Sequence, residues 1–369
     1  MLTTELQKTD LPFALAAARF PKFGAKRLAR LKKAFGNFET VWGAEARDLA
    51  RAIEHMALAE EFVAARRTIE PAEEVDRLAQ TGVSVVWIEE ETYPALLREI
   101  HDPPPFLFHR GALPKPADVL LSVVGSRHMS RYGAAVLEMF MPELARSGVH
   151  IVSGLALGCD GYAHELTVKH RGCTYGIVAG GCDTESITPG QNRALAHAMI
   201  AAGGGVISEQ PVGTASYPSS FPLRNRLIAG ISRATLVIEA AEASGSLITA
   251  RLALEENRDV LAVPGPINAP MSIGTNRLVR FGAHVVTSAE DILSLLELAP
   301  TTPVPARIVE PQNATEAALL PHLNTHGIHV DELVRASRLP TTLVLQTLTA
   351  MELREVVVHI GGNHYRLNG

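Results

Sequence analysis

The chain has 369 residues, of which 47% are hydrophobic and 20% charged, so its composition predicts packed domains and excludes wholesale disorder. The formal net charge of −5 excludes a protein coated in positive charge, so any nucleic-acid site must be local. No apolar run reaches the roughly 18 residues of a membrane helix, and we expect a cytoplasmic protein without a signal peptide. The three cysteines lack CxxC spacing, which predicts buried thiols, and neither a metal nor a cofactor is expected.

Residues 1–75 are rich in Ala, Leu, Lys and Arg and have helical periodicity without a strand pattern. They predict a small all-α N-terminal domain. Within it, the segment PKFGAKRLARLKKAFG at 21–36 resembles a helix-hairpin-helix or sterile-alpha-motif-like module. A hairpin that contains glycine can offer backbone amides to a phosphate, although a bundle that contacts another protein explains the same pattern.

Residues 80–298 alternate short β-branched runs with helical stretches. This alternation predicts an α/β domain with a Rossmann-like, doubly wound and mostly parallel sheet, whose functional loops gather at the carboxyl ends of its strands. Runs at 83–88 and 106–110 are expected to extend the sheet at one edge. The predicted parallel strands are 120–124, 150–153, 174–179, 205–208, 235–239, 260–263 and 284–286.

Several predicted strands end in glycine and serine, a composition that suits backbone amides close to an anion. GSR at 125–127 follows the first strand, where free amides at the next helix can hold a phosphate and Arg127 can grip it. SG at 153–154 follows the second strand, and SGS at 244–246 opens an apolar helix as a further anion nest. Each turn could equally be an ordinary connection, so their number and order carry the interpretation.

The segment FPLRNRLIAG at 221–230 is the densest cluster of candidate site residues. Arg224 and Arg226 could clamp adjacent phosphates, and Phe221 could stack on a base. The alternative is a basic helix start with a buried Phe221.

The motifs GSR, SGLALGCDGYAH, FPLRNRLIAGIS, ASGSLITA and AVPG, in this order, resemble the DNA-processing protein A family, also called DprA or Smf. The resemblance covers roughly residues 80–298. It implies a non-enzymatic homodimer that binds single-stranded DNA, protects incoming DNA and helps load RecA during natural transformation. With the nest at 244–246 included, the predicted DNA-binding residues are Gly125, Ser126, Arg127, Ser153, Gly154, Phe221, Arg224, Asn225, Arg226, Ser244, Gly245 and Ser246.

The C-terminal part is predicted to be a winged-helix domain at 315–369, joined by a linker at 299–314 that contains four prolines. Its expected recognition helix, at 341–352, has no Lys or Arg before Arg354. Duplex binding usually needs several phosphate contacts, so this helix favours protein interaction or weak DNA contact over sequence-specific binding.

The alternative function is a nucleotide-binding or phosphoribohydrolase-type enzyme of the same Rossmann-like superfamily. Such hydrolysis needs a positioned carboxylate as general acid or base. The loop at 244–250 contains none, but Glu209 and Glu239 could supply one from other strand ends.

Overall fold

The computed structural model describes residues 5–298, 311–324, 327–354 and 356–367. The chain divides into two compact units, residues 1–300 and residues 301–369. Most of the predicted linker, at 299–310, lies outside the described residues. The domain limits given above stay a prediction.

The first unit begins with six helices whose apolar faces pack on the edge of the sheet. Phe62 lies 4.6 Å from Phe23 between ring centroids, and Phe38 lies 5.8 Å from Phe106 of the sheet. The buried core is therefore continuous from the helices into the sheet. The six helices are α1 Glu5–Arg19, α2 Ala25–Phe35, α3 Phe38–Gly43, α4 Ala46–Ile53, α5 Met56–Ala65 and α6 Pro71–Ala79.

A nine-stranded sheet forms the centre of this unit and confirms the Rossmann-like prediction. Strands β3 to β9 are parallel to one another. Strand β2 pairs antiparallel with β6, and β1 pairs antiparallel with β2, so these two strands extend one edge. The strands are β1 Ser84–Trp87, β2 Phe106–Gly111, β3 Val119–Val124, β4 Val149–Ser153, β5 Thr174–Ile177, β6 Gly205–Ser208, β7 Ala234–Val237, β8 Asp259–Ala262 and β9 His284–Val285.

The strand order is β1-β2-β6-β5-β4-β3-β7-β8-β9, so the winding reverses between β3 and β7. In open α/β sheets, ligands bind in the crevice beyond the carboxyl ends of the strands at such a reversal. Both faces of β3 are buried, with Leu121 and Val123 in one core and Leu120 and Val124 in the other. The covering helices are α7 Ala95–Arg98, α8 Arg131–Arg146, α9 Cys159–Lys169, α10 Arg193–Ala201, α11 Ser220–Ile231, α12 Gly245–Glu255, α13 Ile273–Arg280 and α14 Ala289–Leu295.

The second unit is a winged helix, as predicted, and Leu333, Val344 and Leu348 lie in its core. The first helix ends earlier than expected, at Leu319, because Pro321 has no N–H to continue the helical hydrogen bonds. A two-residue strand was not predicted, since it is too short to show a period. The elements are α15 Ala314–Leu319, β10 Ile328–His329, α16 Val330–Ser337, α17 Thr341–Leu353, β11 Val357–His359 and β12 His364–Leu367, with sheet order β10-β12-β11.

Candidate nucleic-acid interface

A crevice of 650 Å³ opens at the carboxyl ends of β3 and β7, where the winding of the sheet reverses. The loop after β3, the loop after β7 and the first turns of α11 form its walls. The most distant of these segments are about 120 residues apart in the sequence, and they meet because their strands or helices pack side by side. Nine of the predicted residues line the crevice: Gly125, Ser126, Arg127, Phe221, Arg224, Asn225, Ser244, Gly245 and Ser246.

Arg127 is the exposed arginine of this crevice. Its guanidinium carbon lies 5.1 Å from the ring centroid of the half-buried Phe221. Within the described residues, Arg127 takes part in no ion pair. A contact between a guanidinium and an aromatic face does not use up the N–H donors of the guanidinium, so Arg127 can still donate to a phosphate.

The serine-rich nest lies at the start of α12. Ser244 caps this helix, and its hydroxyl accepts a hydrogen bond from the Ser246 amide at 3.3 Å. A Cβ built on Gly245 meets no atom within 4 Å, so the approach to the helix start is open. The positive end of the helix dipole favours an anion at this place.

The turn from β3 into α8 offers fewer free amides than predicted. Ser130, the N-cap of α8, donates both its amide, at 2.9 Å, and its hydroxyl to the buried carboxylate of Glu239. The Ser130 amide is therefore not free to hold a phosphate, because the Glu239 carboxylate from the loop after β7 already accepts it. The turn still requires glycine at 125, where a Cβ would lie 2.5 Å from the sulfur of Cys159.

Arg224 lines the crevice but is 5% exposed, and its guanidinium points beneath the loops. One of its terminal nitrogens donates to the Gly154 carbonyl at 2.7 Å and also to the Ile177 carbonyl. A Cβ on Gly154 would lie 2.6 Å from this guanidinium. Arg224 therefore ties together the carboxyl ends of β4 and β5, with the hydroxyl of Ser153 bound to the Val123 carbonyl beside it at 2.5 Å.

Asp160 supplies the negative charge that accompanies Arg224 in the protein interior. Its carboxylate accepts the Gly154 amide at 3.1 Å. Burial lowers the pKa of Arg224 to about 10, although the negative charge of Asp160 acts to raise it. Arg224 therefore remains protonated at neutral pH. Burial raises the pKa of Asp160, and the charge of Arg224 opposes that increase.

His164 lies beside this pair and is fully buried. Its Nδ1 is 2.6 Å from the Thr174 hydroxyl. Burial, with a smaller contribution from Arg224, lowers the pKa of His164 to about 3, so the ring is neutral. This arrangement gives His164 a structural role in the interior.

Arg226 lies on a different side of α11. It forms a partly buried ion pair with Glu209 and donates to the Asp102 carbonyl at 2.8 Å. Residues two apart in a helix point in diverging directions, so Arg224 and Arg226 do not form the clamp on adjacent phosphates that an extended segment would allow. Their guanidinium groups are engaged within the protein.

Some residues that complete the crevice or hold its loops could not be predicted from the sequence. His128 and Met271 line it, but neither belongs to a pattern that predicts a site. Asn192 donates to the carbonyls of Leu155 and Ala156, at 2.9 and 3.1 Å, and so fixes the loop after β4. The segment TPGQN at 188–192, which ends in this residue, has the composition of a turn but does not indicate the carbonyls that Asn192 binds.

The comparison with protein families agrees with the order of the motifs. The model described as DNA recombination-mediator protein A matches residues 84–297, and the DprA winged helix domain model matches residues 300–363. The chain belongs to the DNA recombination-mediator protein A family.

Relatives in this family carry both of its usual names. Protein Smf of Escherichia coli K12 is 35% identical over 297 residues, which cover 79% of this chain and 79% of the relative. DNA processing protein DprA of Bacillus subtilis is 40% identical over 223 residues, which cover 59% of this chain and 72% of the relative.

Two solved structures of the family have the same fold. DNA processing protein A from Streptococcus pneumoniae aligns with a TM-score of 0.65 and 31% identity, over 77% of this chain and 97% of that one. The Helicobacter pylori protein, described for its unique single-stranded DNA binding mode, aligns with a TM-score of 0.51 and 27% identity, over 58% of this chain and 95% of that one.

In the part of the chain described here, no helix is long and apolar enough to span a membrane. The same described residues contain no cluster of three or more His, Cys, Asp or Glu side chains suited to a metal ion.

Proposed function

We propose that this protein binds single-stranded DNA in the crevice between β3 and β7, without catalysing a reaction. The observation that carries the proposal is the meeting of an exposed arginine, an aromatic ring and an open helix start in one crevice. The arginine and the helix start suit the negatively charged phosphates of a single strand, and the aromatic ring suits its unpaired bases. The family membership and the single-stranded DNA binding described for the Helicobacter pylori relative support it.

The predicted residues divide by role in this proposal. Arg127 and the nest at 244–246 contact phosphates, Phe221 stacks on a base, and Asn225 donates to the strand. Gly125 and Ser126 let the backbone approach the DNA. Ser153, Gly154 and Arg224 hold the loops in place, and Arg226 supports α11 from its other side.

We further propose a cytoplasmic role in natural transformation, in which the protein protects incoming DNA and helps to load RecA. The family description as a recombination mediator supports this role. A homodimer would cover the exposed apolar side chains near the free edge of the sheet. Phe281 and Val285 lie there, and Phe281 is 71% exposed. Covering such side chains removes apolar surface from water.

Binding of single-stranded DNA is expected to depend strongly on salt and little on sequence. Phosphate contacts release counterions, so log affinity should fall with log salt at a slope of about 0.7 per neutralised phosphate. Fluorescence anisotropy with oligo-dT and a mixed-sequence oligonucleotide, from low to high salt, measures both properties. Tight binding that salt does not change would contradict a phosphate-binding crevice.

The alternative enzyme is tested by the two carboxylates that could act as general acid or base. Both are already engaged, the buried Glu239 with Ser130 and the partly buried Glu209 with Arg226. We expect no turnover when purified protein is incubated with ATP, NAD or nucleoside monophosphates. Hydrolysis that Glu239→Gln abolishes would favour the enzyme, since this change keeps the side chain's shape but removes its basicity.

A further inference from the structure

A second groove, which we call the bundle groove, lies between the N-terminal helices and α11 within the first unit. Its volume is 780 Å³, larger than that of the crevice. One wall is α2 with the loop that precedes it, and the opposite wall is the segment 217–226. The residues on which its chemistry depends are Lys22, Lys26, Arg27, Arg30, Tyr217 and Leu223.

The crevice and the bundle groove share the segment 217–226 as a common wall. Pro218, Phe221 and Asn225 line the crevice, whereas Tyr217 and Leu223 line the bundle groove. Neighbouring residues of one short segment therefore face two openings. A polymer that crosses this wall on leaving the crevice enters the bundle groove directly.

The bundle groove is cationic although the whole chain has a net charge of −5. Five cationic side chains line it, since Arg226 joins the four of the α2 wall, against the three carboxylates of Glu61, Asp102 and Glu209. Arg30 also forms an exposed ion pair with Glu54 at 3.2 Å. Lys22 and Lys26 are exposed, and they pair with the exposed Glu61 at 2.5 Å and with the half-buried Asp102 at 3.6 Å. Exposed ion pairs contribute little to stability, so these lysines can turn to a phosphate at small cost.

The opposite wall offers surface for unpaired bases. The Tyr217 and Leu223 side chains are 47% and 59% exposed. An exposed aromatic ring beside cations is the combination with which proteins bind single strands without sequence preference. A duplex keeps its base faces stacked and would leave this surface unused.

We propose that the bundle groove binds the part of a single DNA strand that leaves the crevice. Lys26 and Arg27 contact its phosphates, and Tyr217 stacks on a base. This extension rests on the proposed function of the crevice. It predicts that the second contact adds affinity only for strands long enough to reach both grooves.

The test compares an oligo-dT of about six nucleotides, which fills the crevice, with one of about twenty, which reaches both grooves. Fluorescence anisotropy is measured on the full chain with Lys26→Ala/Arg27→Ala. We expect affinity for the long oligonucleotide to fall about tenfold and its salt slope to fall by about 1.4, because two phosphate contacts are lost. Affinity for the short one should not change.

The control variant is Arg47→Ala/Arg51→Ala, which removes two exposed cations of α4 from the same helical bundle and should change neither affinity. Tyr217→Ala should weaken only the long oligonucleotide, by about fivefold or more through lost stacking. The proposal for the bundle groove would be contradicted if both groove variants kept the wild-type affinity for the long oligonucleotide. It would also be contradicted if they lost affinity equally for the long and the short one. Arg127→Ala separates the two proposals. If this variant has lower affinity for both oligonucleotides, DNA binding in the crevice is supported whatever the results for the groove variants.

Discussion

Replacing Arg127 with alanine is expected to lower the affinity for oligo-dT by tenfold to a hundredfold while leaving the fold intact. Hydrogen bonds to charged groups contribute about 1.5–3 kcal/mol each, and Arg127 is the exposed arginine of the crevice. Its side chain has no ion pair within the described residues and lies over Phe221, so its removal leaves no buried charge behind.

Fluorescence anisotropy with oligo-dT at a fixed salt concentration measures this loss, and circular dichroism checks the fold. Arg51→Ala is the matched control, because it removes an 81% exposed arginine of α4 that lies outside both grooves. Equal affinities for the wild-type protein, Arg127→Ala and Arg51→Ala would show that DNA does not bind in the crevice.

The sequence predicted the sheet because its signals are local. β-branched runs alternate with helical periods, and glycine and serine follow several of the strands, so strands could be placed within about two residues. The residues lining the crevice follow from the same signals, since parallel strands bring their carboxyl ends to one edge. Nine of the twelve predicted residues lie there for this reason.

The direction of the charged side chains could not be predicted, because each depends on a partner far away in the sequence. Glu239 reaches the amide of Ser130 across 109 positions, and Arg226 reaches the Asp102 carbonyl across 124. An arginine near a helix start has the same sequence pattern whether it faces solvent or the ends of neighbouring strands. The shared core of the N-terminal helices and the sheet was hidden in the same way, since it depends on aromatic contacts such as Phe38 with Trp87.

Arg224→Ala is expected to destabilise the first unit by about 3–5 kcal/mol, because it leaves the buried Asp160 without its counter-charge. The carbonyls of Gly154 and Ile177 would also lose a donor. Arg224→Lys should destabilise the unit less, since it keeps the charge but offers one compact ammonium in place of a planar fork. Arg127→Ala, an exposed change, should stay within about 0.5 kcal/mol of the wild type.

Urea unfolding followed by tryptophan fluorescence measures this difference in the first unit alone, because both tryptophans, Trp42 and Trp87, lie in it. DNA binding is then measured where each variant is fully folded. Because Arg224 holds the loops from beneath, a folded Arg224 variant should lose affinity through displaced loops and keep the wild-type salt slope, whereas Arg127→Ala should lower the slope by about 0.7. An Arg224→Ala protein of wild-type stability with a reduced salt slope would instead show that Arg224 turns outward and grips a phosphate itself.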